Sequence, residues 1–308
     1  MAGAVTIGWG SSVPDNVVTN DDLAKRLDTS NEWILERTGI RERHMGGVTS
    51  ELAIAAAKEA LASAGMEPGD IDLLVLATTT PDALVPGTSA IVQGALGTRG
   101  GAFDVNAACS GFIYSLVAAH GFVLAGSKRV LLIGAETLSS ITDMNDRTLA
   151  VIVGDGAAAV VLEAVPGQGE LLSWNLGADG LLRHLLCCEH GGYLFMDGKE
   201  IFRRAVRIVV DSAREAIVAA GVTSEQVDLF VPHQANVRII DAARERLGIP
   251  EERAMVTIDR YGNTSSSSIP LALVAAITEG RLHAGDLVLL SGFGAGMTWG
   301  SALLRWGG

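Results

Sequence analysis

The sequence predicts an α/β fold built from two duplicated halves, and the main reason is an internal repeat. Residues 58–75 align without a gap with residues 214–231, at an offset of 156 positions. A second similarity links residues 129–134 with residues 287–292, at an offset of 158. Two similarities at nearly the same offset argue against chance, so the sequence predicts a duplication.

Each copy of the longer repeat has the pattern of an amphipathic helix, a glycine stop, a short loop and a hydrophobic strand. Strands that alternate with helices indicate mostly parallel sheets covered by helices. We therefore expect an N-terminal half over residues 1–166 and a C-terminal half over residues 167–308, each with its own sheet.

The composition is that of a globular chain with a large core. Of the 308 residues, 48% are hydrophobic but only 5% are aromatic, so Ala, Val, Leu and Ile must build the core. The 37 glycines indicate many tight turns and close backbone approaches. A net charge of −12 argues against a nucleic-acid or membrane-surface binder, so a local basic patch must hold any anionic ligand.

The cysteines and the N-terminus are those of a cytoplasmic protein. Cys109, Cys187 and Cys188 have the spacing of neither a disulfide framework nor a metal site, and we expect no metal. The first residues lack the basic segment of a signal peptide. Residues 105–127 carry no Asp, Glu, Lys or Arg and could cross a bilayer, but their polar residues and glycines favour a buried central helix.

Cys109 is the first candidate for catalysis. It lies where the β-rich run 101–105 passes into an apolar, helix-like run that begins near Ser110. A thiol at a helix N-terminus is close to unpaired N–H groups and to the positive end of the helix dipole, and both favour the nucleophilic thiolate. Taken alone, however, a free cysteine is more often a buried core residue.

Two distant segments supply further groups. His233 directly follows the predicted strand 227–231, and Asn263 lies in a Gly-Asn-Thr-Ser segment. Ligands of α/β folds bind at the carboxyl ends of strands, so two pseudo-symmetric halves can bring Cys109 and His233 to one cleft. A thiol, an imidazole and a carboxamide can form a thioester and then make a carbanion beside a carbonyl. Taken singly, such a His or Asn is more often structural.

In combination these segments resemble the thiolase superfamily and, within it, the β-ketoacyl-acyl carrier protein synthase III family. The resemblance covers essentially the whole chain, and its motifs are residues 28–34 (DTSNEWI), 37–41 (RTGIR), 105–112 (VNAACSGF), 153–157 (VGDGA), 193–198 (YLFMDG), 232–240 (PHQANVRII), 261–265 (YGNTS) and 292–300 (GFGAGMTWG). The resemblance implies a thiolase-like fold, in which the two halves form a five-layer α-β-α-β-α sandwich.

The catalytic set separates the related families. A thiolase would bring a second Cys, a hydroxymethylglutaryl synthase a Glu and an elongating ketosynthase a second His. Plant-type polyketide synthases share Cys-His-Asn, but their chains are considerably longer. Cys109, His233 and Asn263 in a chain of 308 residues therefore favour the initiating synthase, an acyltransferase of fatty-acid synthesis.

The resemblance implies a two-stage reaction. Cys109 takes the acyl group from an acyl-CoA, and malonyl-acyl carrier protein then loses CO₂, so that its enolate attacks acyl-Cys109. His233 and Asn263 donate hydrogen bonds to the malonyl thioester oxygen, and the backbone N–H groups of Cys109 and Ala295 form the oxyanion hole. Many relatives have Gly where Ala295 stands. Acyl-CoA is a substrate in this reaction, and no cofactor is implied.

The resemblance also implies a homodimer and two binding surfaces, one for CoA and one for the carrier protein. Trp33 and Arg37 lie four positions apart and can share a helical face, where an indole can stack on adenine and a guanidinium can hold phosphate. Arg147 and Asn236 match further family positions at the CoA tunnel. For the acidic carrier protein, the candidate docking residues are Arg203, Arg207, Arg238 and Arg246, although a solvated helix face would look the same.

Alternatives remain open at this point. The same residues suit a priming ketosynthase or acyltransferase of a polyketide or secondary-metabolite pathway, and a non-catalytic acyl-CoA-binding protein is a third possibility, which the retained catalytic set opposes. The end of the primer pocket is assigned to Val85, Ile141 and Met297. Val85 stands where some relatives carry a bulky aromatic residue, which indicates a roomier pocket.

Overall fold

The structure is a computed structural model that describes residues 2–307. The helices are α1 (Asn20–Ala24), α2 (Asn31–Thr38), α3 (Thr49–Ala64), α4 (Thr88–Leu96), α5 (Gly111–Leu124), α6 (Arg147–Ala150), α7 (Gly198–Ala219), α8 (Val237–Leu247), α9 (Ile258–Tyr261) and α10 (Ser268–Thr278). The strands are β1 (Ala2–Ser12), β2 (Val17–Thr19), β3 (Glu42–His44), β4 (Leu73–Ala77), β5 (Gly101–Val105), β6 (Arg129–Thr137), β7 (Asp155–Pro166), β8 (Leu171–Ala178), β9 (Leu186–Cys187), β10 (Phe195–Met196), β11 (Leu229–Pro232), β12 (Leu287–Gly294) and β13 (Thr298–Arg305).

Two main sheets carry the fold. The first has the order β1-β7-β6-β4-β5 and the second the order β11-β12-β13-β8. Strand β4 is parallel to β5 and β6, and β11 is parallel to β12, but the other pairs are antiparallel. The expectation of mostly parallel sheets is therefore wrong. The physical reason is clearest at β12 and β13, since the short turn between them can join only antiparallel neighbours.

The duplication is visible in the strand order. In the first sheet, β1, β7, β6 and β4 follow one another with the same directions as β8, β13, β12 and β11 in the second. The first sheet additionally has β5 at its edge. We propose that the boundary between the halves lies at residues 166 and 167, between the last strand of one sheet and the first of the other.

The helices form three layers around the two sheets. Helices α3 and α4 pack on the outer face of the first sheet, and α7 and α8 on the outer face of the second. Helices α5 and α10 lie between the sheets, and strand residues alternate accordingly: Val75 faces this central layer, whereas Leu74 faces α3. The five-layer sandwich of the thiolase fold is thus confirmed. Among residues 2–307 no helix is long and apolar enough to cross a membrane.

The two central helices begin in the same way. A 3₁₀ turn precedes α5 and another precedes α10, and the first residue of each turn has a positive φ, 47° at Ala108 and 49° at Ser265. The Asn106 side-chain oxygen accepts from the Ala108 N–H at 3.3 Å, and the Asn263 oxygen accepts from the Ser265 N–H at 2.9 Å. The duplicated halves therefore bring two equivalent turns, 157 positions apart, to the middle of the molecule.

Candidate active site

Cys109 lies in a tight turn that leads directly into α5. The turn, Ala108–Ser110, begins in the left-handed region at Ala108, a conformation that is costly for a residue with a side chain. The Thr298 hydroxyl donates to the Ala107 carbonyl at 2.9 Å and ties the turn to β13. Cys109 as a whole residue is half-buried, and it lines a cavity at the start of the helix.

The expectation that the helix start would favour the thiolate is corrected by the surroundings of Cys109. Burial raises the pKa of the thiol to about 12; the hydrogen bond from Ser265 opposes this rise, and the negative charge of Glu136 adds to it. A helix dipole contributes at most about 2 kcal/mol at a partly buried terminus, which is about one and a half pKa units and less than the rise that burial causes here. Desolvation therefore outweighs the dipole, and the resting residue is a thiol whose proton must leave during the reaction.

His233 directly follows β11, at the carboxyl end of the strand. Its ring is buried, with 4% of the residue exposed, and its Nδ1 lies 2.6 Å from Ser268 Oγ. The edge of the Phe293 ring packs against it, with ring centroids 5.8 Å apart. Burial lowers the pKa of His233 to about 3, so the imidazole is neutral at physiological pH.

Asn263 is held by its backbone and by one side-chain bond. Its N–H donates to the Ile152 carbonyl at 2.8 Å, and its own carbonyl accepts from the Gly154 N–H at 2.9 Å. Because its side-chain oxygen accepts from the Ser265 N–H, the amide nitrogen Nδ2 is the group left to donate into the cavity. Asn263, His233 and Cys109 all line this cavity.

A close backbone approach brings the end of β12 onto the Cys109 turn. A Cβ on Gly294 would lie 2.5 Å from the backbone nitrogen of Cys109 and 3.0 Å from the Cβ of Ala108, so only glycine fits there. Ala295 comes next, and its carbonyl oxygen lies 3.0 Å from the same Thr298 hydroxyl oxygen, so the hydroxyl proton is shared between the Ala107 and Ala295 carbonyls. Cys109 and Ala295, the predicted oxyanion pair, line one wall of a second cavity.

The two cavities meet at Cys109. The first, of about 590 Å³, is the cationic cavity, and its wall includes Trp33, Arg37, Arg147, Lys199, Phe202, His233 and Arg238. The second, of about 500 Å³, is the apolar cavity, and its wall includes Leu138, Ile141, Leu149, Val153, Leu194 and Cys187. Cys109 and Asn263 belong to both walls. A group bound to the thiol can thus extend into one cavity while a second molecule occupies the other.

The predicted CoA residues gather at the mouth of the cationic cavity. The guanidinium carbons of Arg37 and Arg147 lie 4.7 Å and 4.9 Å from the centroid of the Trp33 ring. Asn236 lines the same cavity, but its amide donates to the Arg37 carbonyl at 2.9 Å and accepts from the Arg238 N–H at 2.9 Å. Asn236 therefore joins α2 to the start of α8.

The four arginines predicted to dock the carrier protein do not form a single patch. Arg238 lies at the mouth of the cationic cavity, over the ring of Phe202. Arg203 and Arg207 line a separate hollow on α7 and pair with Glu200 at 2.6 Å and Asp211 at 3.3 Å. Arg246 is exposed near the other end of α8. Lys199, which the sequence analysis did not single out, shares the mouth with Arg238.

The primer-pocket residues are only partly as expected. Ile141 lines the apolar cavity. Val85 does not line it and is 85% exposed. Met297 is fully buried in the core beneath the outer face of the second sheet, where its side chain packs with the residues of α7 and α8. Within a single chain neither residue lines the cavity; the prediction also allowed residues of a second copy to contribute, and the single chain does not test that part.

Three polar residues beside the site were missed. Glu136 is fully buried and accepts hydrogen bonds from Ser266 Oγ and Thr80 Oγ1, each at 2.7 Å. Ser265 and Ser268 contact the catalytic groups, as described above. The sequence does contain a signal: an acid closes the apolar run 130–135, and four serines stand together before an apolar helix. Within residues 2–307 no cluster of His, Cys, Asp and Glu suits a metal ion.

Two family models match the chain. The model of 3-oxoacyl-[acyl-carrier-protein] synthase III matches residues 103–180, and the model of the C-terminal part of the same enzymes matches residues 217–306. The first segment contains Cys109, and the second contains His233 and Asn263.

Relatives match over the full length. The β-ketoacyl-[acyl-carrier-protein] synthase III of Bradyrhizobium sp. is 49% identical, covering 98% of this chain and 99% of the relative, and that of Brucella suis is 47% identical, covering 99% and 100%. The crystal structure of the 3-oxoacyl-[acyl-carrier-protein] synthase III of Aquifex aeolicus superposes with a TM-score of 0.97 at 47% identity, covering 99% of this chain and 100% of that one.

A polyketide relative is less similar. The priming β-ketosynthase of the R1128 polyketide pathway has a TM-score of 0.95 at 36% identity, covering 99% of this chain and 96% of that one. The polyketide alternative is therefore not favoured. The chain belongs to the 3-oxoacyl-(acyl carrier protein) synthase III family of acyltransferases, which carry out the initiating condensation of fatty-acid synthesis.

Proposed function

We propose that Cys109 is the acylated residue of this enzyme and that the two cavities divide its substrates. The observation that carries the proposal is the position of Cys109 and Asn263 at the junction of the two cavities, with His233 on the cationic side. The acyl chain of the primer enters the apolar cavity. The CoA of the first substrate, and later the phosphopantetheine arm of malonyl-acyl carrier protein, occupy the cationic cavity.

The first half-reaction transfers the acyl group from sulfur to sulfur. Cys109 Sγ attacks the thioester carbon of acyl-CoA, the bond from that carbon to the CoA sulfur breaks, and the thiol proton leaves with CoA as its free thiol. Negative charge develops on the carbonyl oxygen in between. The backbone N–H groups of Cys109 and Ala295 are the donors that stabilise this oxygen, and a preorganised donor of this kind changes rates by about a hundredfold or more.

The second half-reaction forms the carbon–carbon bond. Malonyl-acyl carrier protein loses CO₂, and the electron pair of the broken bond becomes the enolate of the thioester. The Nε2–H of His233 and the Nδ2–H of Asn263 donate to the enolate oxygen. The enolate carbon attacks acyl-Cys109, the carbon–sulfur bond to Cys109 breaks, and the thiolate takes a proton from solvent. The product is 3-oxoacyl-acyl carrier protein.

At the mouth, Trp33, Arg37 and Arg147 are assigned to the nucleotide end of CoA. The two guanidinium groups supply charge for phosphates in a chain that is otherwise acidic. Asn236 supports them by holding the Arg37 backbone. Decarboxylation supplies the carbanion and the thioester supplies the acyl group, so we propose that the reaction needs no cofactor.

We further propose a cytoplasmic homodimer. Strand β5 is at the edge of the first sheet, and Phe103 on this strand packs against Phe122, which is 41% exposed. A second copy that adds its own β5 would continue the sheet and cover these rings. The free cysteines suit a reducing compartment. Sedimentation equilibrium at micromolar concentration should report the mass of two chains, and a single-chain mass would contradict the proposal.

The assignment of the nucleophile is tested by acylation. Incubation with acetyl-CoA followed by peptide mass spectrometry should place one acetyl group on Cys109. Cys187 serves as an internal control because it lines the same apolar cavity. Cys109→Ala should abolish the adduct, whereas Cys187→Ala should leave it unchanged. Acylation of Cys187 or Cys188 with none on Cys109 would overturn the assignment.

A further inference from the structure

His233 and Ser268 form a short, buried contact that holds both side chains in place. Ser268 Oγ lies 2.6 Å from Nδ1 of His233, and both residues are almost completely buried, with 2% and 4% exposed. Phe293 packs edge-on against the imidazole, and the backbone N–H of His233 donates to the Ser291 carbonyl at 2.8 Å. The ring is thus fixed in orientation, and only the location of its proton remains to be decided.

The hydrogen bonds of Ser268 decide that location. Its oxygen also accepts from the backbone N–H of Gln234, at 3.4 Å. Across residues 2–307, the Ser268 hydroxyl has no hydrogen-bond acceptor other than Nδ1 of His233. A buried hydroxyl that donated to nothing would be left unsatisfied, so the hydroxyl proton points at Nδ1. A neutral imidazole whose Nδ1 accepts a hydrogen bond carries its own proton on Nε2.

The first half of the chain provides an internal comparison. The strand registers Pro232↔Ser291 and Leu76↔Ile133 make Ala77 the equivalent of His233. The equivalent of Ser268 is Gly111, where a Cβ would lie 3.4 Å from the Cβ of Ala77.

The same two positions are therefore neighbours in both halves. Where the imidazole is absent the hydroxyl is absent too, which indicates that Ser268 is present to serve the imidazole rather than the helix start.

We propose that Ser268 is a positioning residue for His233, whose hydroxyl donates to Nδ1 and keeps the proton of the imidazole on Nε2, directed at the cavity. This rests on the proposed function, in which His233 donates to the enolate oxygen. In this tautomer Nε2 has no free lone pair, so His233 cannot accept the proton of Cys109. The thiol proton must therefore leave with CoA, as in the first half-reaction described above.

The tautomer is measured directly. Two-bond ¹H–¹⁵N spectra of protein labelled at its histidines, with the His233 signals assigned by their loss in His233→Gln, should show a neutral imidazole protonated on Nε2 at pH 7. Ser268→Ala should shift the His233 nitrogens toward the pattern of the other tautomer, and Ser268→Thr should restore the parent pattern. An Nδ1-protonated imidazole in the parent protein, or an unchanged spectrum in Ser268→Ala, would overturn the proposal.

The two half-reactions give the second measurement. Ser268→Ala should lower kcat for condensation by about tenfold or more, since a donor to the developing charge is lost, with little change in the KM for malonyl-acyl carrier protein. The rate of Cys109 acylation should stay within about twofold of the parent, and Ser268→Thr should recover most of kcat.

Ser173→Ala is the matched control. It also removes a buried hydroxyl, one that donates to the Ala216 carbonyl far from the site, and should change neither rate. Equal loss of both half-reactions in Ser268→Ala would overturn the positioning role. A separate result would contradict the proposed function itself: full condensation activity in His233→Gln would show that His233 is not needed for the reaction.

Discussion

At the scale of single residues, the role proposed for Asn263 can be tested separately from the acylation of Cys109. Its oxygen is occupied by the Ser265 N–H, so its contribution to the cavity is the Nδ2–H alone. Asp is nearly the same shape and keeps the acceptor for Ser265, but it has no N–H and adds a negative charge.

We therefore expect Asn263→Asp to lower the condensation rate by about a hundredfold or more while Cys109 is still acylated by acyl-CoA. Single-turnover measurements of the two half-reactions test this. Asn106→Asp is a matched control, because Asn106 makes the equivalent bond to Ala108 in the other half. Condensation at the parent rate in Asn263→Asp would remove Asn263 from the chemistry.

The sequence predicted which residues gather at the cavity, but not their protonation. Cys109, His233 and Asn263 were singled out because the thiol, imidazole and carboxamide stand in distinct motifs, and all three line the cationic cavity. The raised pKa of Cys109 depends on burial and on Glu136, which lies on a different strand. The partnership of Ser268 with His233 joins residues 35 positions apart, and no local pattern indicates such a contact.

At the scale of elements, α5 carries a group that makes stability depend on pH. His120 lies on α5 in the central layer, 7% exposed, and its Nε2 has no hydrogen-bond partner within residues 2–307. Burial lowers its pKa to about 4, whereas the unfolded chain has the ordinary value of 6.5. Below 6.5 the unfolded state binds a proton that the folded state excludes, so this contribution to stability is complete above 6.5 and is lost as the pH falls toward 4.

We expect the free energy of unfolding to fall between pH 7.5 and pH 5 by at most about 2 kcal/mol more in the parent than in His120→Gln. Urea titrations at the two pH values give this difference. The buried His233 is present in both proteins and cancels in the comparison. His190→Gln, at an exposed position, should behave as the parent. The same pH dependence in parent and His120→Gln would contradict the burial argument.

The helices and strands were easiest to predict where the internal repeat indicated the same helix-strand unit in both halves. The helix-glycine-strand units became α3 with β4 and α7 with β11, and the uncharged run 105–127 became the buried α5. Strand direction was not predictable in the same way, because the route of the chain from β6 to β7 depends on the loops that line the cavities. The positive φ at Ala108 and Ser265 was equally hidden, since neither is glycine.

At the scale of the whole molecule, charge is distributed unevenly. The chain has a net charge of −12, yet Lys199 and Arg238 at the mouth of the cationic cavity have no acidic partner within 4 Å in residues 2–307. Arg203 and Arg207 are already paired with acidic residues. We therefore expect an acidic carrier protein to be attracted chiefly to the mouth, where unpaired charge would raise the encounter rate.

We expect the double variant Lys199→Glu with Arg238→Glu to raise the KM for malonyl-acyl carrier protein by about tenfold at low salt and to flatten its salt dependence. Arg203→Glu with Arg207→Glu is the matched comparison and should have the smaller effect. Circular dichroism checks that both variants fold. The reverse order of effects would place the carrier on the hollow beside α7.

The pairing of equivalent turns at the centre of the sandwich has an evolutionary consequence. Ser266 stands where Cys109 stands in the other half, yet its hydroxyl is bonded to Glu136 in a closed interior. If the ancestor was a symmetric pair of identical chains, its two turns were identical in sequence and structure. In the present chain the two copies differ: Cys109 lies in the first half, whereas His233 and Asn263 lie in the second, and all three line one cavity. Neither half alone contains the whole set.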